Sequence, residues 1–450
     1  MATAFELRLA RPLAARIDEE LRDGPRDAFE SERAGFLLCG VARRNDRVIL
    51  LARRWKPVAT NRRLRLPGYG LAWEASFNAA ILDEAEATGT IPVLLHRHEA
   101  GWPIGLSARD RRTGDPLLAM MSRSVPGGLA GSVVLNDDEA TGLVWSRGAS
   151  AGIVSELHVA GIPITRRDDG NRTPAAARDR LEGQTLAIGP ASDGRLRSTT
   201  IAVVGLSGGG GHVVQQTAHQ GFGTTILIDD DRIEPRSRGR MVGSVHTDDG
   251  QAKTATMRRL VHGIDPTIRV MEVPFRTNTP EGIAALKQAD VVVACVDSFG
   301  ARAQINDLCR RYMIPLIDIG MTITSDGERL QRASGQVVLS LPGGPCLRCT
   351  PLASDAILAR EEVDRPAGYD RNPDAPGEPQ VVSMNGLLAS HASTLALAIA
   401  TGYLPGTDFV HGGWWQYEAL EGRLDFTPLT DHRPSCPGCA EEGHGDPLPD

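Results

Sequence analysis

The chain has 450 residues, 41% of them hydrophobic, enough for two or three domains with real cores. Its net charge of −7 gives a nucleic-acid partner no support. No apolar run approaches the ~20 residues of a membrane span, and the opening stretch MATAFELRLARPLAARIDEEL lacks the apolar segment of a signal peptide. A cytoplasmic protein without membrane or nucleic-acid partner is therefore expected. Of seven cysteines, Cys346, Cys349, Cys436 and Cys439 form two C-x-x-C pairs, which in such a compartment read as metal ligands rather than disulfides.

In chain order, short β-like runs occur at Gly35–Gly40, Arg47–Ala52, Ile91–His96 and Ser132–Leu135. Between them Ala75–Thr88 carries apolar residues at helical spacing. These make a first α/β domain over 1–165. Residues 166–178, RRDDGNRTPAAAR, are charged with Gly and Pro and read as a linker. The second domain, 179–450, alternates strands (Thr200–Val204, Thr224–Ile228, Asp290–Cys295, Ile314–Ile319) with helical stretches, which predicts a Rossmann-like, mostly parallel α/β sheet. A loop-rich piece over 342–384 follows, then an apolar helix at Asn385–Thr401.

The turn from Gly205 through Ser207, Gly208 and Gly210 to Gly211 follows a strand and opens a helix. Glycines let backbone approach a phosphate, and the helix start offers free N–H groups. By itself such a turn also suits a dinucleotide dehydrogenase or an ordinary tight turn. Asp229 ends the next strand, where a carboxylate reaches ribose hydroxyls. Arg240, Lys253 and Asp297 follow; a triphosphate needs cations and a carboxylate for Mg²⁺, whereas a dehydrogenase needs neither.

Written out as VVGLSGGGGH, ILIDDDRIEPRSRGR, DDGQAK and VVVACVDS, residues of about 175–445 resemble the ThiF/MoeB and ubiquitin-activating adenylyltransferase family. The resemblance implies that ATP lies on the glycine turn, that Asp229 binds ribose, that Arg240 and Lys253 bind phosphates, and that Asp297 holds Mg²⁺. The family's asparagine falls on Ser237, a departure. Arg180 lies where the family supplies an arginine to a partner subunit's ATP, which implies a homodimer.

Two knuckles about ninety residues apart, Cys346/Cys349 and Cys436/Cys439, can complete a tetrahedral zinc site with no open position, hence a structural one. Ubiquitin-activating relatives carry a thioester-forming cysteine between the first knuckle and the following helix, and here TPLASDAILAREEVDRPAGYDRNPDAPGEPQVVSMNG contains none. Cys295 and Cys309 read as packed thiols.

In the first domain His96-Arg-His98 ends a strand and Ser107-Ala-Arg-Asp110 follows. Two imidazoles and a carboxylate are three zinc ligands that leave room for water; Glu32, with Glu30 as rival, is the candidate general base and Ser107 the oxyanion donor. The constellation resembles the JAB/JAMM isopeptidase family over about 10–155. That resemblance implies a second, catalytic zinc; a metal-free docking domain is the alternative.

Together the resemblances imply an enzyme that activates the C-terminal glycine of a ubiquitin-like protein with Mg-ATP, joined to a JAMM-like isopeptidase or docking domain. Its partners would be that protein and a conjugating-enzyme-like acceptor. A sulfur-carrier adenylyltransferase, a non-catalytic scaffold for ubiquitin-like proteins, and a dehydrogenase are the other readings, the last disfavoured by Arg240 and Lys253.

Overall fold

The computed structural model describes residues 3–23, 33–64, 72–98, 104–168, 178–364, 379–404 and 411–448. The first module comprises β1 (Thr3–Ala10), α1 (Arg11–Asp23), β2 (Ala34–Arg43), β3 (Val48–Pro57), α2 (Ala75–Thr88), β4 (Ile91–Arg97), α3 (Ala108–Ser124), β5 (Leu129–Leu135), β6 (Ala140–Ser146), β7 (Ala149–Ala160) and β8 (Thr165–Asp168). The strands pair in the order β1-β3-β2-β4-β5-β6-β7-β8, and β1 also pairs with β7, closing the sheet on itself.

Strand periodicity of two explains why the first half of β3, VILLA, reads as an unbroken apolar run. Val48, Leu50 and Ala52 point into the first core, whereas Ile49 and Leu51 point out, into a second cluster with Ile226, Leu286 and Met313 of the C-terminal half. Over 48–52 both faces are covered and carry no polar residue, whereas Arg53, Arg54 and Lys56 follow where the strand runs out toward solvent.

The second module comprises α4 (Glu182–Ile188), α5 (Ser192–Arg197), β9 (Thr200–Val204), α6 (Gly208–Gln220), β10 (Thr224–Ile228), α7 (Pro235–Arg238), α8 (Lys253–Ile264), β11 (Arg269–Val273), α9 (Pro280–Leu286), β12 (Val291–Ala294), α10 (Phe299–Arg311), β13 (Leu316–Ser325), β14 (Leu330–Ser340), α11 (Asp355–Asp364), α12 (Val382–Thr401), β15 (Gly412–Glu418), β16 (Arg423–Pro428) and α13 (Pro437–Ala440). The strand order is β11-β10-β9-β12-β13-β14-β15-β16. The sheet is mixed rather than mostly parallel: β11 through β13 pair in parallel, but β13 to β16 are antiparallel. The link from Ser325 to Leu330 is too short for a helical crossover, so those strands must turn back as a hairpin.

Two boundaries differ from expectation. Residues 166–168 belong to β8, paired with β7, and not to a linker; 169–177 lie outside the described residues. The C-terminal tail returns to the first module, where Gly445 bridges Val41 and Leu448 packs on the barrel core. The 20-residue helix α12 is long and apolar enough to cross a membrane by length and composition, yet it buries Leu388, Ala392, Leu395 and Ile399 in the sheet's core.

Candidate functional site

Strand β9 lies between β10, which follows it, and β12, which is reached from β11, so the strand order reverses at β9 and a crevice opens at the carboxyl ends of the three strands. Gly205 sits there at φ +81°, and a β-carbon on it would lie 2.7 Å from the Cys295 carbonyl. One on Gly208 would lie 2.7 Å from Asn385 Nδ2, and one on Gly210 would overlap the Gly205 carbonyl. Backbone carbonyls demand glycine at 205 and 210, and α6 begins at Gly208 with Ser207 as its N-cap residue. The Ser207 hydroxyl is buried without a hydrogen-bond partner among the described residues. Open N–H groups, a free hydroxyl and no intruding β-carbons form a cradle that fits a phosphate.

Asp229, just past β10, accepts the Leu206 N–H at 2.7 Å and the Asp231 N–H at 2.9 Å. Lys253, the first residue of α8, places Nζ 2.7 Å from Asp231 and 3.5 Å from Asp229. Burial raises the Asp229 pKa, with Lys253 opposing. Burial pulls the Lys253 ammonium down, but Asp229 and Asp231 outweigh it and its pKa is raised, so the lysine stays a cation. The glycine turn, Asp229 and Lys253 are thus one hydrogen-bonded unit.

Arg240 is half-buried; its guanidinium has no carboxylate partner among the described residues, and its one contact is the Arg236 carbonyl at 3.5 Å. Asp297, beyond β12, is exposed and makes no hydrogen bond or ion pair among the described residues. Ser237 is buried in the turn that carries Arg240, its carbonyl accepting the Arg240 and Met241 N–H groups. Arg180 is not brought to the glycine turn. Its guanidinium lies 2.6 Å from Asp265 and donates to the His219 and Ala218 carbonyls, at the C-terminal end of α6. Asn385 of α12 was not singled out in the sequence. It is buried against Gly208, donates to Gln380, and no motif near it signals this placement.

The cysteine pairs converge. Sγ of Cys346 lies 3.6 Å from that of Cys436, and Sγ of Cys349 lies 3.5 Å from that of Cys439. All four sulfurs lie within 4.8 Å of one another. Bonds of ~2.3 Å to a tetrahedral zinc put sulfurs about 3.8 Å apart, so the set fits. Cys309 is buried in α10, Cys295 is half-buried under the glycine turn, and burial raises both pKa values, which suits packed thiols.

In the barrel, His96 Nε2 lies 3.8 Å and His98 Nε2 3.9 Å from Asp110 Oδ2. Both His96 ring nitrogens are buried without hydrogen-bond partners among the described residues, and a metal bond would satisfy one of them. Burial first, then His98, lowers the His96 pKa to about 4 against the pull of Asp110, so the ring is neutral and able to ligate at pH 7. Ser107 is engaged: its hydroxyl oxygen accepts the Asp110 N–H at 3.1 Å and its own N–H donates to Asp110 Oδ2 at 2.7 Å, a capping box that opens α3. Its hydroxyl proton is still available to donate. Glu32 and its rival Glu30 lie outside the described residues.

A profile of the ThiF family matches residues 181–438. The chain is 30% identical over 270 residues, covering 57% of its length and 86% of the relative's, to the SAMP-activating enzyme E1 of Haloferax volcanii. It is 27% identical over 271 residues, 59% of its length and 91% of the relative's, to the sulfur carrier protein adenylyltransferase of Thermus thermophilus. Among solved structures, Escherichia coli MccB with ATP has a TM-score of 0.46 at 21% identity, covering 58% of this chain and 75% of that one. With more than half of its length matched, the chain belongs to the ThiF family, its adenylyltransferase fold spanning residues 181–438.

Proposed function

We propose that this chain uses Mg-ATP to adenylate the C-terminal glycine of a ubiquitin-like protein. The supporting observation is the shared crevice: a phosphate-fitting glycine turn, the buried Asp229–Lys253 pair bonded to it, and the uncommitted carboxylate of Asp297 on the neighbouring strand end. The glycine carboxylate attacks the α-phosphorus, the α–β anhydride breaks, and pyrophosphate leaves with an acyl-adenylate formed. Lys253 and Arg240 offset the phosphate charge, and Asp229 takes the ribose. Mg²⁺, held by Asp297, supplies further charge neutralisation when bound. Pyrophosphate exchange into ATP tests this: it should require a ubiquitin-like protein ending in glycine. Tight binding of a nicotinamide dinucleotide with no exchange would overturn it.

Handing the adenylate to a sulfur donor is the second reading. It is favoured by the absence of any cysteine between Cys349 and Cys436, and by the packed state of Cys295 and Cys309. A thioester on a conjugating-enzyme-like protein, or a C-terminal thiocarboxylate, would separate the two fates. The name of the Haloferax relative favours the first and that of the Thermus relative the second.

For the barrel, about 1–168, the reading is a JAMM-like module with a zinc on His96, His98 and Asp110, and Glu32 as general base. The two unpartnered nitrogens of His96 support it. Cleavage of a ubiquitin-like protein bearing a C-terminal extension by wild type but not Glu32→Gln supports hydrolysis; zinc binding without cleavage supports a docking module. The remaining proposals are a cytoplasmic homodimer, whose reducing surroundings would keep the cysteine thiols as metal ligands, a structural zinc on those thiols, and a role for Arg180 across the dimer.

A further inference from the structure

Asp297 is exposed and unpaired among the described residues, yet the turn that carries it is fixed on every side. Before it, the Cys295 N–H continues the sheet by donating to the Val204 carbonyl at 2.8 Å. After it, the Ser298 hydroxyl caps α10 by accepting the Ala301 N–H at 3.2 Å. Glu361 of α11 takes the Phe299 and Gly300 N–H groups at 2.8 and 2.6 Å. The peptide next to Asp297 is held by a side chain from the first turn of α10. Arg302 Nη2 donates to the Val296 carbonyl at 2.6 Å. Helical side chains lean toward the helix start, which is what lets Arg302 reach back to that carbonyl.

Arg302 is itself locked. It is 5% exposed, and Nη1 donates to Asp318 at 2.5 Å and to the Ile319 carbonyl at 2.9 Å, both on β13. Asp318 is 1% exposed and sits opposite Ala294 of β12. The guanidinium lies where a β-carbon on Gly320 would clash, so glycine there makes its room. A planar fork bridging three acceptors is a task for arginine rather than lysine.

We infer that Arg302, braced by Asp318, is a positioning residue that sets the Val296–Asp297 turn so that the Asp297 carboxylate faces the nucleotide's metal preformed. The inference rests on the reading of Asp297 as the metal-holding carboxylate. Partners that orient a metal ligand typically govern affinity about 10- to 100-fold.

The test is Mn²⁺ binding to the full chain with ATP, followed by electron paramagnetic resonance, alongside ATP binding without metal and zinc content. Asp297→Asn sets the full loss. Arg302→Met with Asp318→Leu replaces the buried pair by apolar groups, an exchange that folds commonly tolerate. It should weaken Mn²⁺ at least about tenfold, leaving metal-free ATP binding and zinc content as in wild type. Arg302→Lys, which keeps the charge but loses the fork, should give an intermediate loss and serves if the double variant does not fold. Wild-type Mn²⁺ affinity in a folded Arg302 variant overturns the inference alone. Equal Mn²⁺ affinity in wild type and Asp297→Asn overturns the reading of Asp297, and the inference with it.

Discussion

Lys253 is the residue whose removal should cost most chemistry. Among the described residues its ammonium is the one cation bonded to Asp229, at the start of α8. Removing a charge that stabilises a developing anion in a dry site commonly costs about 10²–10³ in rate. Lys253→Ala should therefore lose pyrophosphate exchange by at least that factor; unchanged exchange would refute its role. Asp265 gives a pH-dependent prediction at the same scale. Burial alone would raise its pKa, but the Thr267 hydroxyl and N–H and the Arg180 guanidinium prevail and hold it at about 2. A depressed carboxylate contributes stability above its unfolded value near 3.8 and loses it as pH falls through about 2. After allowance for solvent screening, Asp265→Asn should cost about 1 kcal/mol at pH 7. Urea midpoints of the two proteins should converge as pH drops from 4 toward 2.

Among elements, the join of β9 to α6 is the least tolerant. Gly210→Ala would push a methyl into the Gly205 carbonyl, and overpacking of this kind costs about 1–3 kcal/mol. Denaturation and ATP titration should both report the loss, while Gly194→Ala, which meets open space in α5, should be neutral or slightly stabilising. The second knuckle ties down another element. Beyond Cys439, Glu441 and Glu442 bind Arg311 and Arg310, and Asp446 accepts from the Arg43 N–H at 2.7 Å, Lys287 at 3.0 Å and the Tyr312 hydroxyl at 2.9 Å. Cys436→Ser should lose bound zinc, lower stability by at least about 3 kcal/mol and expose the 443–448 tail to protease. Full zinc content in that variant would exclude the four-cysteine site.

At the scale of the molecule, the two modules are joined by a common core and by buried charge. Ala10, Ala42, Ile49 and Leu51 of the barrel share a cluster with Ile226, Leu286 and Met313 of the second module. Beside it Arg166 of β8 lies 2.9 Å from Asp290, Arg8 donates to the Tyr312 carbonyl at 3.2 Å, and Asp290 also accepts the Thr200 N–H at 2.8 Å. Burial works against the Asp290 carboxylate, but Arg166 prevails and its pKa is lowered. Asp290→Asn leaves Arg166 with less counter-charge in a buried place and should cost about 3 kcal/mol. A shared core also predicts one unfolding transition. Fluorescence, which reports on Trp55 and Trp145 of the barrel and Trp415 of the second sheet, should change together with far-ultraviolet dichroism. Two separated transitions would show that the modules are independent.

The sequence by itself carried whatever local pattern and spacing encode. The helix Ala75–Thr88 and the strands Thr200–Val204 and Thr224–Ile228 were legible because period and end signals are local. The places of the glycine turn, Asp229 and Asp297 were legible because each comes just after a strand of the alternating unit, and the cysteine knuckles because pairs of thiols at that spacing have few other uses. Strands β1 and β6 to β8, and helices α1 and α3, were not read. The strands are covered on both faces or mixed with charge, so no clean alternation marks them. What only the tertiary structure decided depends on contacts between distant residues. Arg180 is bound to Asp265, eighty-five positions away, and Asn385 lies on Gly208 from the far helix α12. The antiparallel half of the sheet follows from strand pairing, and the seating of the tail on the barrel from Val41 meeting Gly445. Side-chain pairing across such separations is set by packing geometry, which no local spacing in the chain records.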